Sequence, residues 1–205
     1  MRIALCLLLT STAAHADTEI GVGTDVRALH SPSANALTDD SLFGGHVAFA
    51  HALLPNLWLT GAVTFGGATG TMFEMSTSVF QESLEAGVRA RHHLAGPLAA
   101  LARVDVGMSD TSVKLADPAY QTLSDHAWAP LASGALGVEL AGRIDRRIDM
   151  GLRLELGYVA CAPVTLAART QVLDDGTNRL SMMQASLGSL DLSGKYAAAS
   201  WLVRF

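Results

Sequence analysis

Lysine is almost missing from this chain: Lys114 and Lys195 are the whole complement in 205 residues. Charged residues of all kinds come to 16%, well under the roughly 25% of soluble domains. A water-facing surface is normally dense in charge of both signs, so an ordinary soluble globule is a poor fit. With a net charge of −5, the chain also lacks the concentrated basic face that nucleic acid requires. No apolar run reaches the roughly eighteen residues of a membrane-spanning helix. Cysteine is limited to Cys6 and Cys161, and no metal-ligand spacing such as H-x-x-x-H occurs, so neither a metal nor another cofactor is expected.

What the chain does have is apolar residues, at 50%, and a positive mean hydropathy of +0.31. Those groups must be kept from water without a spanning helix. Part of the excess sits at the N-terminus, where Met1-Arg2 gives a positive start and Ile3 to Leu9 a short apolar core. Ala14-His15-Ala16 then supplies a small-x-small cleavage site before Asp17. Residues 1–16 are therefore read as a cleaved secretory signal peptide and 17–205 as the mature domain. Cleavage removes Arg2 and no acid, taking the formal charge from −5 to −6. Cys161 is then the sole cysteine, expected to act as a small apolar residue near a strand end.

The mature chain alternates. Eight segments show period-2 patterning, the signature of strands with two unlike faces: Glu19 to Leu29, Leu42 to Leu53, Leu57 to Gly66, Val79 to Leu94, Leu98 to Met108, Trp128 to Ala141, the run around Gly151 to Tyr158, and the C-terminal stretch. The seventh is the sharpest, with Leu152, Leu154, Leu156 and Tyr158 set against Gly151, Arg153, Glu155 and Gly157. Connections near Pro55, Gly96 and Arg143 to Arg147 are short. Those from His30 to Ser41, Gly67 to Ser78, Ser109 to Ala127 and Ala162 to Leu190 are long, and Asp175-Gly176 reads as a hairpin tip. A closed barrel satisfies every backbone group in lipid, and short turns on one side with longer loops on the other suit a transmembrane barrel. The expected fold is all-β, an eight-stranded antiparallel up-and-down transmembrane β-barrel. A soluble barrel of lipocalin type would point the polar phase into water. Here that phase is rich in Gly, Ala, Ser and Thr, which instead suits a narrow interior.

At the C-terminus, Val203, Trp201, Ala199 and Ala197 share one phase with Phe205, while Arg204, Ser200, Ala198, Tyr196 and Gly194 share the other, and Leu202 is the exception. A strand ending in Phe with an aromatic four positions earlier resembles the sorting strand of Gram-negative outer-membrane barrels, with Trp201, Val203 and Phe205 as its signature. With the signal peptide, strand count and loop asymmetry, the mature chain resembles the OmpX type and the membrane domain of OmpA. The resemblance implies the cell outer membrane as location, with lipid, lipopolysaccharide and the barrel assembly machinery as partners, and a monomer. Two departures stand out. Aromatics are 6%, thin for the girdles of such barrels, and the chain stops at Phe205 with no peptidoglycan-binding module expected.

The polar phase carries Asp25, Glu85, Asp105, Glu139 and Glu155 against Arg27, Arg89, Arg91, Arg103 and Arg153. Buried charges must be paired or they cost several kcal/mol each, so this set reads as a lumen network. It is either a structural filling, an ion path or gate, or a source of catalytic carboxylates. His30-Ser31 and His126 lie at expected outer strand ends, where a lipid-A-modifying enzyme would place a catalytic pair. His92-His93 sit by a short turn, and His46 and His51 fall on opposite phases of one strand. Met72, Phe73, Met75, Met182 and Met183 offer either an adaptable apolar surface or packing over the barrel mouth. Lys195 falls on the lipid-facing phase, where it can snorkel. The leading expectation is a non-enzymatic structural or surface-interaction protein with a plugged lumen. A narrow channel for small or hydrophobic solutes is the alternative, and an enzyme acting on lipid A a distant third.

Overall fold

The computed structural model describes residues 18–72, 75–116, 123–166, 172–174, 179–181 and 189–205; the expected signal segment lies outside them. Seven long strands come first: β1 (Thr18–Leu29), β2 (Ser41–Leu54), β3 (Leu57–Met72), β4 (Met75–Ala95), β5 (Leu98–Ala116), β6 (Leu123–Asp145) and β7 (Ile148–Cys161). A short helix, α1 (Pro32–Thr38), joins β1 to β2. Four short strands follow β7: β8 (Val164–Thr165), β9 (Val172–Asp174), β10 (Arg179–Ser181) and β11 (Ser189–Leu190). The last strand is β12 (Gly194–Arg204). Strands β1 to β7 and β12 close into one antiparallel barrel, each paired with its chain neighbours and β12 with β1. The expected eight-stranded barrel is present.

The alternation sorts into faces as expected. Leu84, Val104, Val106, Leu136, Leu156 and Trp201 all stand on the outer surface, each more than half exposed. Their adjacent, opposite-phase neighbours Glu85, Asp105, Ala135, Glu155 and Ser200 are buried in the lumen. Along β5 the outward residues from Leu98 to Met108 are all apolar, and the next, Asp110, faces outward opposite Glu82. Ten steps at ~3.3 Å, on a strand tilted by about 40°, give a belt roughly 25 Å tall. That height matches the apolar band of a membrane barrel.

At the short-turn end, each hairpin carries a register shift, between Ala52 and Leu54, His93 and Ala95, and Arg143 and Asp145. Such bulges sharpen the twist where the chain must reverse. Gly96 takes φ +53° there, a left-handed conformation that costs an L-residue about 1–2 kcal/mol.

The opposite, loop end departs from the sequence reading. Strands β3, β4, β5 and β6 run well past their expected limits, so that Met72 pairs with Met75 and Leu115 with Leu123. The alternation fades there because Thr69, Thr71, Thr77, Ser78, Thr111 and Ser112 replace apolar residues. Thr is nevertheless a good strand former, and the hairpins continue without an apolar face. The first long connection holds α1, whose Pro32 at the first helical position was a readable start signal. Strands β9 and β10 pair on either side of the expected hairpin tip; Asp175-Gly176 itself lies outside the described residues. So do Phe73, Met182, Met183 and the side chains of Met72 and Met75.

Candidate functional site in the barrel lumen

The lumen is layered. Its short-turn layer is built from Glu19 of β1, Arg89 and Arg91 of β4, Glu139 of β6, Arg153 of β7 and Arg204 of β12. Glu19 Oε1 accepts from Arg89 Nη1 at 2.8 Å and also from Arg153 Nη2, while its Oε2 accepts from Arg204 Nη2 at 2.6 Å. Glu139 accepts from Arg91 Nε and Arg204 Nη2, each at 2.9 Å, and from Arg153 Nη2 at 3.0 Å. The guanidinium carbons of Arg89 and Arg204 lie 5.3 and 5.1 Å from the ring centroid of Trp58, within cation–π range. Four guanidiniums thus share two carboxylates and one indole. Only Arg91 keeps appreciable exposure.

The middle layer has the opposite balance. Arg103 reaches Asp105 at 3.2 Å and Glu155 at 3.4 Å, and donates to Tyr196 Oη at 2.9 Å. Asp105 also accepts from Thr60 at 2.7 Å. Glu85 meets hydroxyls, accepting from Ser83 and Ser133 at 2.9 Å each. Asp25 faces His46. Arg27 stands apart near the loop end, donating to Gln81 at 2.7 Å and to the Leu192 carbonyl at 3.4 Å.

Glycine makes room for this layer. A Cβ on Gly157 would sit 2.6 Å from the ring of Tyr196, its neighbour in the ladder. A Cβ on Gly87 would sit 2.5 Å from the Asp105 carboxylate. Large side chains therefore lie flat over the strand beside them instead of blocking one another across the barrel.

Above Asp25 and Glu85 the inward phase turns apolar. Leu29, Leu42, Val79, Val113, Leu131 and Val159 form a buried cluster at the loop end of the barrel. The loops contribute Val164, Leu166, Leu190 and Leu192, and α1 contributes Ala34. Ser193 pins this cover: its hydroxyl accepts from the Cys161 N–H at 2.9 Å and donates to the Cys161 carbonyl at 3.2 Å. Cys161 itself is buried in the cluster.

Two cavities lie between these layers among the described residues. One, of about 30 Å³, is lined by Asp25, Arg27, Glu85, Arg103 and Tyr196 among others. The second, of about 20 Å³, touches Arg89, Arg103, Arg153 and Ser200. His46 and Arg103 line both and form the wall between them. Since a water needs roughly 10–15 Å³ of such space, each has room for one or two waters and no organic solute.

All ten charged residues singled out from the sequence lie in the barrel. Glu85, Arg89, Arg91, Arg103, Asp105, Glu139, Arg153 and Glu155 are brought into two adjoining layers, while Asp25 and Arg27 lie closer to the loop end. Sequence reasoning passed over Glu19 and Arg204, which with Glu139 form the centre of the short-turn layer. Both lie on the lumen phase, at the ends of their strands, so the phase alone could have found them. Leu202, the exception in the terminal strand, is inward and fully buried.

The histidines scatter. His30 packs edge-on against Tyr158 with centroids 5.8 Å apart, His51, His92 and His126 are exposed, and His93 bonds the Gly96 carbonyl at 2.7 Å. His51 Nδ1 lies 3.3 Å from the exposed Thr18 hydroxyl, and His46 has Nε2 2.8 Å from Ser200 Oγ and Nδ1 3.7 Å from Asp25 Oδ1. The order is that of a serine-hydrolase relay. However, 3.7 Å is too long for a hydrogen bond, and the adjoining cavities cannot admit an acyl group. Among the described residues no group of three His, Cys, Asp or Glu side chains could hold a metal.

No family model and no curated protein matches the sequence. Among solved structures, Neisserial surface protein A aligns over 94% of this chain and 98% of its own, with 11% identity and a TM-score of 0.54. Ail, the attachment invasion locus protein of Yersinia pestis, solved with the heparin analogue sucrose octasulfate, covers 92% of this chain and 95% of its own, at 9% identity and TM-score 0.48. The N-terminal β-barrel domain of OprF from Pseudomonas aeruginosa covers 92% and 96%, at 11% identity and TM-score 0.40. The likeness to Neisserial surface protein A is one of fold.

Proposed function

We propose that this chain, whose fold is that of the small outer-membrane β-barrels, is a monomeric, non-enzymatic protein of the Gram-negative outer membrane with a structural or surface-interaction role. One observation carries the reading. Among the described residues, charged layers below and an apolar seal above enclose two cavities of about 30 and 20 Å³, each of water size, which supports a barrel plugged by its own side chains. The apolar belt supports lipid, including lipopolysaccharide, as its surroundings. Exposed Trp201 and Phe205 on the terminal strand support recognition by the barrel assembly machinery. Residues 1–16 are removed on export, and the mature chain starts at Asp17.

Reconstitution in planar bilayers tests the plug: the refolded protein is expected to give no steady conductance. It should also show heat-modifiable migration on gels and fractionate with membranes; recovery of native protein in the soluble periplasm would refute the location. A narrow channel for small solutes is the second reading. It is favoured by the two cavities lying against a common wall of Arg103 and His46, so that movement of one side chain could join them. Steady current from the parent protein would promote it.

A further inference from the structure

We infer that the short-turn half of the lumen is a binding site for one small monoatomic anion of chloride size. The inference goes beyond the proposed role, since a plugged barrel needs no ligand. It begins with charge. Four guanidiniums and two carboxylates form the short-turn layer, leaving two positive charges without a carboxylate of their own in that layer. Buried charge of one sign is costly unless compensated and hydrogen-bonded.

Donors tell the same story. A guanidinium offers five N–H groups, yet each carboxylate can receive only a few. Arg89, almost wholly buried, has no acceptor among the described residues for Nε or Nη2, and the Nε atoms of Arg153 and Arg204 are likewise unmatched. The cavity of about 20 Å³ lies against Arg89 and Arg153. Its charged lining is Arg89, Arg103 and Arg153 against the single carboxylate of Glu155. The hydroxyls of Thr60 and Ser200 and the ring of His46 complete the polar wall, with Ala48, Phe49 and Gly61 behind. Thr60 is committed to Asp105, which leaves the guanidiniums as the principal donors. Buried guanidiniums converging on a small cavity favour an anion, through charge-assisted hydrogen bonds stronger than those to water. The volume excludes phosphate, sulfate and carboxylates and admits a halide.

The test uses the full barrel refolded in detergent. Crystals grown in bromide should show an anomalous peak in the cavity between Arg89, Arg103 and Arg153. Thermal unfolding followed in chloride, bromide, sulfate and acetate at equal ionic strength should show a saturable rise in midpoint for the halides alone. Arg89→Gln keeps Glu19 paired with Arg153 and Arg204, and should raise the halide concentration for half-maximal effect by about tenfold or more. Two results would overturn the site: bromide found only on the barrel exterior, or the same salt response for sulfate as for chloride. If Arg89→Gln does not refold, the anomalous map of the parent decides alone.

Discussion

Replacing Glu19 by Gln changes no volume and removes one charge from the most tightly shared carboxylate in the barrel. In the parent, Glu19 takes hydrogen bonds from Arg89, Arg153 and Arg204. In the variant four guanidiniums are left with Glu139 alone, and the new amide NH₂ faces either Arg204 or the pair Arg89 and Arg153, according to which oxygen it replaces. Two like charges about 4 Å apart interact by about 1 kcal/mol in bulk water and about 4 kcal/mol at an effective dielectric of 20. Breaking one side of a buried ion pair typically costs about 3–5 kcal/mol. A dry lumen therefore predicts a loss in that range for Glu19→Gln, and a wet one a loss of about 1 kcal/mol. Urea unfolding of the barrel in lipid vesicles reads the difference. With a slope of about 2 kcal/mol/M, the dry lumen lowers the midpoint by about 2 M. Glu19→Gln combined with Arg89→Gln should lose less than the sum of the two, since both belong to one network. A shift near 0.5 M with additive double-variant behaviour would refute the dry network and with it the plug.

Two further perturbations probe other parts of the structure. Deleting Phe205, a partly exposed residue, should lower assembled protein in cells while costing at most about 1.5–3 kcal/mol of refolded stability; equal assembly of parent and deletion would contradict recognition of the terminal strand. Gly157→Ala places a methyl group against the Tyr196 ring and should cost about 1–3 kcal/mol through overpacking. Calorimetry on the refolded barrel showing no loss would mean that the ring does not hold its place over the glycine.

Alternation made the barrel legible, because a period of two in eight segments leaves little choice of architecture, and it also separated lipid-facing from lumen-facing residues. What it could not supply was height along the axis. Arg89 and Arg153 lie far apart in sequence yet meet the same carboxylate, because strand tilt and stagger bring them level. Equal numbers of acids and arginines among the ten flagged residues suggested even pairing, but charge is sorted by level. Arg27 and Glu85 have neutral partners, while arginines crowd the short-turn end. The apolar seal was also hidden, because Leu29, Leu42 and Val113 occupy the phase that is polar further down, and Leu166, Leu190 and Leu192 lie in stretches without any period. Glu19 and Arg204 were missed for a simpler reason. Both share the lumen phase of their strands, but charged residues at strand ends usually mark the edge of a pattern.

Closure of the ring has a consequence for how the molecule is made. Glu19 and Arg204 are separated by 185 residues, and they lie directly opposite each other where the first and last strands meet. Loop-closure entropy for such a span is roughly 5 kcal/mol, and contacts so distant in sequence slow folding. Until the final strand docks, Arg89 and Arg153 lack the acid supplied by the first strand in its closed position, and Glu139 lacks Arg204. The pair acts as a latch: one event seals the wall and completes the charge set inside it. A barrel stalled one strand short would be open along its side and electrically unfinished at its base, so half-built forms should be poorly populated and assembly close to all-or-none.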